Sequence, residues 1–261
     1  MRRAPLAGAL VIALAAAVSA PAAAGERINP VSGPITVFAA SSLTEAFTVI
    51  GEKFEDRNPD ATITFSFGSS STLATQIEQG GPVDVFASAD FDTMERLFDG
   101  GYVDEGGAAG GAFSVFARNR LAIAVAPGNP KHIETLADTV DDGVTLVLCA
   151  PEAPCGKYAQ EAYENAGLEV PSVPTGASAK DTLAKVELGE ADAAVVYVTD
   201  VKAAAGDVDV VKIPNRQNVV ATYPISPIVE NANGVAAKAF ILFVTSPAGQ
   251  KILRKFGFLA P

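Results

Sequence analysis

Residues 35–47 read ITVFAASSLTEAF, and this stretch decides the fold. Ile35 to Ala39 is a short apolar run rich in β-branched side chains, the pattern of a strand buried on both faces. Leu43, Ala46, Phe47, Ile50 and Phe54 then recur at the spacing of one helix face. A buried strand that passes directly into an amphipathic helix is the building unit of α/β folds. Ser41 and Ser42 sit on the junction between the two.

Outward from that unit the alternation continues. Residues 63–67 read as a strand, followed by Leu73, Ala74 and Ile77 at helical spacing. Residues 83–87 form another strand after the turn Gly80-Gly81-Pro82. Phe91, Met94, Leu97 and Phe98 mark a helix stopped by Gly100-Gly101. Residues 106–112 are a Gly/Ala loop, and 113–116 and 121–125 are extended and apolar. Further on come a strand at 145–148, a helix with Tyr158, Ala159, Ala162 and Tyr163, and a helix with Leu183, Ala184 and Val186 ending at Gly189. Strands follow at 193–197 and 208–213. Residues 223–229, YPISPIV, are extended, and their prolines point to an edge or crossover position. Two apolar helices close the chain at 235–244 and 247–256, the second opened by Ser246-Pro247. The pattern is that of an α/β protein with mainly parallel sheets flanked by helices.

The N-terminus has a different character. Arg2 and Arg3 precede an apolar run from Leu6 to Val18 and small residues ending at Ala22-Ala23-Ala24, the layout of a signal peptide over residues 1–24. The apolar run is shorter than the roughly 20 residues that span a bilayer as a helix. Cleavage after Ala24 leaves a chain long enough for two lobes without staples. The expected location is therefore periplasmic or otherwise extracytoplasmic.

The formal net charge is −11, which disfavours nucleic acid and anionic membranes as partners. The two cysteines, Cys149 and Cys155, lie within CAPEAPC. An exported chain could bridge them, and the other reading is a pair of ordinary buried thiols. With no histidine nearby the spacing suits no zinc site. His132 is the one histidine in the chain. It stands in a loop-like segment, and no Gly-x-Ser-x-Gly surrounds any candidate nucleophile, so an enzyme is not expected.

Four strand-to-helix junctions carry hydroxyls or small residues: Ala39-Ala40-Ser41-Ser42, Gly68-Ser69-Ser70-Ser71, Ala153-Pro154-Cys155-Gly156 and Ala177-Ser178-Ala179. In a parallel sheet such junctions gather at the carboxyl ends of the strands, where ligands bind. Helix N-termini present unpaired N–H groups and partial positive charge, so several together suit an anion without any basic side chain. Serine also caps helices for purely structural reasons. Ser42-Leu43-Thr44-Glu45 matches a capping box, and Ser178-Ala179-Lys180-Asp181 resembles one. Asp84 and Asp90, which flank Ala87-Ser88-Ala89, read as a capping and turn pair rather than a carboxylate site. Tyr197, at a strand end, fits either a core tyrosine with a satisfied hydroxyl or a donor to a ligand.

The runs ITVFAASSLTEAF, FGSSSTLATQIEQGGPVDVFASAD, APCGKYA, EADAAVVYVTD and SPAGQKILRKFGF together resemble the molybdate-binding periplasmic proteins of ABC transporters. The resemblance extends from Ile35 to the C-terminus. It implies the two-lobed periplasmic binding protein fold with two crossover segments, residues 33–116 and 226–261 forming lobe 1 and 117–225 lobe 2. It implies hydroxyl contacts to the ligand from Ser42 and Ser70, main-chain N–H donors at Cys155 and Ala179, and a phenol donor from Tyr197. Cys155 and Ala179 depart from the residues expected there, though a backbone donor tolerates both. The implied ligand is molybdate or tungstate, with sulfate or phosphate as the alternative. The implied partner is a membrane ABC permease, and the implied state is a monomer without cofactor or directly bound metal.

Overall fold

The structure is a computed structural model that describes residues 31–107, 111–170, 172–229 and 232–261. The signal-peptide reading of residues 1–24 lies outside the described residues, as does part of the 106–112 loop. The chain runs β1 (Gly33–Ala40), a 3-10 turn (Ser41–Leu43), α1 (Thr44–Glu55), β2 (Ala61–Gly68), α2 (Ser70–Glu78), β3 (Val85–Ala87) and α3 (Phe91–Asp99). It continues through β4 (Ser114–Val125), β5 (Leu146–Cys149), α4 (Pro154–Asn165), β6 (Thr175–Gly176), α5 (Ala179–Glu187), β7 (Ala193–Tyr197) and α6 (Val198–Ala203). The last elements are β8 (Asp209–Lys212), β9 (Val220–Pro227), α7 (Gly234–Thr245) and α8 (Pro247–Phe256).

Strand order along the sheet is β2-β1-β3-β9-β4-β7-β5-β6, with β8 paired to β4 off that path. β1 is parallel to β2 and β3, and β5 is parallel to β6 and β7. Between these two parallel groups run β4 and β9, antiparallel to their neighbours. β4 changes partners along its length: residues 114–120 pair with β9, and 121–125 pair with β7 and β8. The two apolar runs separated in sequence by Arg118-Asn119-Arg120 are thus one strand. The polar interruption is the place where it passes from one group to the other.

The segment 223–229 differs from an edge strand. β9 is interior, laddered to β3 on one side and β4 on the other. Pro224 is accommodated where the β4 ladder shifts register between Val115 and Ala117, opposite it, and Pro227 is the last residue of β9.

The core is aromatic where α1 meets the sheet. Phe47, fully buried, lies 5.6 Å from Phe116, 6.0 Å from Phe240 and 6.1 Å from Phe65, ring centre to ring centre. α1 approaches so closely that a Cβ at Gly51 would stand 2.7 Å from the Phe65 ring. α8 starts as its sequence indicates, with Ser246 Oγ accepting the Gly249 N–H and Pro247 in the first turn. No helix among the described residues is long and apolar enough to cross a membrane.

Candidate functional site

Four helical starts converge at the carboxyl ends of the parallel strands, as the junction argument requires. The turn at Ser41 follows β1, α2 follows β2, α4 follows β5, and α5 follows β6. They enclose a small cavity of about 190 Å³ lined by Ser41, Ser42, Ser69, Ser70, Ala89, Cys155, Ala179 and Tyr197, with Ala40, Gly68 and Pro154 completing the wall. All five residues singled out in the sequence, Ser42, Ser70, Cys155, Ala179 and Tyr197, therefore meet in one place.

Side chains leave most of these helical starts uncapped. Ala40 and Ala153, which precede the Ser41 turn and α4, have no polar side chain to offer. Ser69 precedes α2 but hydrogen-bonds Ser71 Oγ at 2.9 Å instead of a first-turn N–H. Ser178 does cap α5, accepting the Asp181 N–H at 3.3 Å, so that box forms in part. The capping box read at Ser42 to Glu45 does not form. Ser42 lies inside the 3-10 turn, and its hydroxyl is engaged with Tyr223 Oη at 2.9 Å, 181 residues away. The first-turn N–H groups of a helix have no intrahelical acceptor. Here four such starts border one cavity, a setting that favours an anion without a basic residue.

Charge is kept to the rim. Lys157 pairs with Asp90 at 3.4 Å and Asp92 at 3.5 Å, and Lys180 pairs with Glu45. Each ion pair joins a helix that follows the β5–β6 strands to one that follows the β1–β3 strands. Asp90 also accepts the Thr93 N–H as the cap of α3, and Asp84 accepts the Thr36 and Asn233 N–H groups. Both aspartates are thus structural, as read from the sequence. His132 is exposed in a turn at φ +53° and is not among the cavity residues.

Tyr197 is the anomaly. It is buried, it lines the cavity, and among the described residues its hydroxyl has no hydrogen-bond partner. Buried hydroxyls are nearly always paired, and one left alone costs about 1–3 kcal/mol. Burial holds the phenol well above the ordinary tyrosine range, so it keeps its proton and remains a donor. The core-tyrosine reading with a satisfied hydroxyl does not describe this side chain.

Beneath it, Asp200 is fully buried, one oxygen accepting the Tyr197 N–H at 3.1 Å and the other unpartnered. Burial raises its carboxyl to about 7, against the opposing pull of Lys180. A carboxyl raised on folding stabilises the protein fully below its unfolded value near 3.8, and that contribution is lost as pH rises through about 7. Asp200→Asn should therefore be more stable than the wild type at pH 8, by roughly 2 kcal/mol. The gap should close toward pH 4. Urea unfolding at pH 5 and pH 8 measures this, and a gap that widens on acidification would contradict it.

Cys149 and Cys155 are bridged. The disulfide ties the end of β5 to the first turn of α4, where Cys155 lines the cavity. A closed loop this short contributes about 2 kcal/mol in the chain-entropy account. Next to it, a Cβ at Gly156 would lie 2.1 Å from the Ala150 carbonyl oxygen, a backbone atom that cannot swing aside. Gly156→Ala should displace the start of α4, costing at least about 2 kcal/mol and weakening ligand binding about tenfold or more. Thermal unfolding and a binding titration of the variant check both effects.

Sequence reasoning placed Ser41 and Ser69 at the junctions without giving them a contact, and missed Ala89 in the wall and Tyr223 and Asn119 behind it. Tyr223 packs edge to face on Tyr197, centroids 5.9 Å apart, and Asn119 Nδ2 donates to Tyr223 Oη at 3.3 Å. Nothing in linear spacing links these residues, because β4 and β9 bring them in by strand pairing. Two larger hollows, of about 1190 and 1130 Å³, lie beside β8 and α6 and beside Tyr163. Neither gathers several helix N-termini or holds an unpartnered buried donor, so size is a poorer guide here than chemistry.

The family described as bacterial extracellular solute-binding protein matches residues 35–259. A protein of Mycobacterium tuberculosis described as molybdate-binding protein ModA is 38% identical over 258 residues, covering 98% of this chain and 97% of that one. The Escherichia coli molybdate-binding protein ModA is 33% identical over 235 residues, covering 87% and 89%. Among solved structures, the periplasmic molybdate-binding protein of Azotobacter vinelandii superposes with a TM-score of 0.76 at 19% identity, covering 87% of this chain and 99% of that one.

Proposed function

Because the chain belongs to the bacterial extracellular solute-binding protein family, we propose that it is the receptor that captures molybdate or tungstate and delivers it to a membrane ABC permease. The observation that carries this reading is the unpartnered, buried Tyr197 hydroxyl in a cavity ringed by helix N-termini. A fully ionised tetrahedral oxyanion presents only acceptors, so its buried neighbours must donate. Ser42, Ser70, the Cys155 and Ala179 N–H groups and Tyr197 Oη are neutral donors of that kind. Ser70 Oγ already accepts the Ala89 N–H at 2.9 Å, which leaves its own proton for the ligand. Among the described residues no carboxylate lines the cavity. The relatives described as molybdate-binding, at 38% and 33% identity, support the choice of anion.

In this reading residues 33–116 with 226–261 form one lobe and 117–225 the other. Ser42 and Ser70 come from the first, Cys155, Ala179 and Tyr197 from the second. The anion bridges them, and closure is driven by contacts made only when both walls are present. The ion pairs of Lys180 with Glu45 and Lys157 with Asp90 hold the same two faces together at the rim. The protein acts as a monomeric receptor rather than an enzyme, outside the cytoplasm, where the Cys149–Cys155 bridge persists. Calorimetric titration with molybdate, tungstate, sulfate and phosphate tests the choice of ligand. Saturable binding of molybdate and tungstate, far tighter than of the other two, is expected. Tight sulfate or phosphate binding with none of molybdate would overturn it.

A further inference from the structure

The disulfide ends in the cavity wall at Cys155, and the two chain segments it joins are held very differently. Cys149 is the last residue of β5, a strand laddered to β7 on one side and to β6 on the other, with Cys149 itself opposite Gly176. The next residue is fixed as well, the Ala150 N–H donating to the Gly176 carbonyl at 2.8 Å. Cys155 lies in the first turn of α4, and that start has few anchors of its own. Ala153 precedes it without a side-chain cap, Pro154 has no N–H, and Pro151 and Glu152 in the connecting loop are exposed. Gly156, Gln160 and Tyr163 of the same helix border the hollow of about 1130 Å³, so the start of α4 has space into which to shift.

The bonded sulfurs are closely confined. Cys149 and Cys155 are 2% and 3% exposed. Thr182 Oγ1, on the α5 helix that begins with Ala179, lies 3.4 Å from Cys149 Sγ. That hydroxyl is itself fixed, donating to the Ser178 carbonyl at 2.8 Å, and α5 packs so tightly on β6 that a Cβ at Gly176 would stand 2.5 Å from it. A dithiol reductant opens such a bridge by exchange. One reductant sulfur attacks a bridge sulfur, the second displaces the protein from the mixed disulfide, and two protein thiols and a cyclic disulfide of the reductant remain. Two thiol sulfurs cannot sit as close together as a bonded pair. Cys149 is held by its strand and by Thr182, so the separation falls on Cys155 and the start of α4.

We infer that the Cys149–Cys155 bridge is a redox-sensitive positioning element of the anion site: oxidised, it holds the start of α4 against the cavity, and on reduction the two separating thiols push that start away and weaken ligand binding. This rests on the oxyanion-receptor reading above. Cys149 is then a positioning residue, acting on the ligand only through Cys155. The cavity measures about 190 Å³ and takes its walls from four helical starts, so a displaced α4 start removes one main-chain donor from an anion that has no basic side chain to fall back on.

The test titrates molybdate into three folded forms: oxidised wild type, wild type reduced with dithiothreitol in urea and refolded under reductant, and the double variant Cys149→Ala with Cys155→Ala. Thiol titration verifies the reduction, and far-UV circular dichroism verifies the fold. The reduced wild type should bind molybdate at least about tenfold more weakly, and re-oxidation of the same sample should restore the affinity. The alanine pair has neither a bond nor two thiols to keep apart, so its affinity should fall by less than about threefold. A bridge that only stabilises the chain would lower the melting temperature of both forms and leave the affinity of folded protein unchanged. Reduced protein that binds as tightly as oxidised protein overturns the inference, and so does an alanine pair as weak as the reduced wild type. In either outcome oxidised wild type still binds molybdate and the functional reading survives. Oxidised protein that binds no oxyanion would remove the functional reading and this inference with it. Should the reduced wild type not refold, Cys149→Val with Cys155→Val, an unbonded pair of at least thiol size, takes its place in the comparison.

Discussion

Tyr197→Phe should weaken the ligand complex and leave the ligand-free protein about as stable as the wild type. The Tyr197 hydroxyl is buried and, among the described residues, unpartnered where the two walls meet. Without an anion the cleft is free to open and water can pair with it, so removing one oxygen should change stability by less than about 1 kcal/mol. The ring still packs at 5.9 Å against Tyr223. In the complex the same oxygen would donate to a full negative charge, a bond of about 1.5–3 kcal/mol, so affinity should fall roughly 10- to 100-fold. The loss of affinity without a loss of stability is what makes the result informative. A tyrosine with a structural role would lose stability with its hydroxyl, and one outside the site would leave affinity unchanged.

The double substitution Ser42→Ala with Ser70→Ala should weaken molybdate binding by at least about 100-fold, because two donors to the same anion are lost together. Stability should fall as well, by about 1–3 kcal/mol, since the Tyr223 hydroxyl loses its Ser42 partner and the Ala89 N–H loses its acceptor. Titration of protein shown to be folded separates the two effects. Affinity within threefold of wild type would place the binding site elsewhere. The singles should be unequal: Ser70→Ala deprives a backbone N–H, which cannot turn away, whereas the Tyr223 hydroxyl can rotate about its own bond.

Much of this arrangement was legible from local pattern. The passage from Ile35–Ala39 into the helix of Phe47, Ile50 and Phe54 depends on near neighbours in sequence, and the observed β1 and α1 follow it. The same holds for β2 with α2 and for the proline-started helices α4 and α8. The four junctions were visible because a helix start has a chemistry of its own. What local pattern could not supply was anything set by pairing between distant strands. Arg118-Asn119-Arg120 looked like a break between two strands, yet it is the continuous middle of β4 where partners change, with Asn119 turned inward. Pro224 and Pro227 argued against an edge-free position, but a register shift in β4 lies opposite Pro224 and Pro227 ends the strand. Ser42 matched a capping box by spacing, and a tyrosine from β9 claimed its hydroxyl instead. Which anion the cavity takes was read from resemblance, since helix N-termini and hydroxyls alone suit any fully ionised tetrahedral oxyanion.

The most direct test of the account is the position of the metal atom in crystals grown with molybdate, located by its anomalous scattering. The account predicts one strong peak in the cavity between Ser42, Ser70, Cys155, Ala179 and Tyr197, with oxygens within hydrogen-bonding distance of the Tyr197 hydroxyl and the two serines. A peak in the larger hollow beside β8 and α6, or none in protein that binds molybdate in solution, would contradict it.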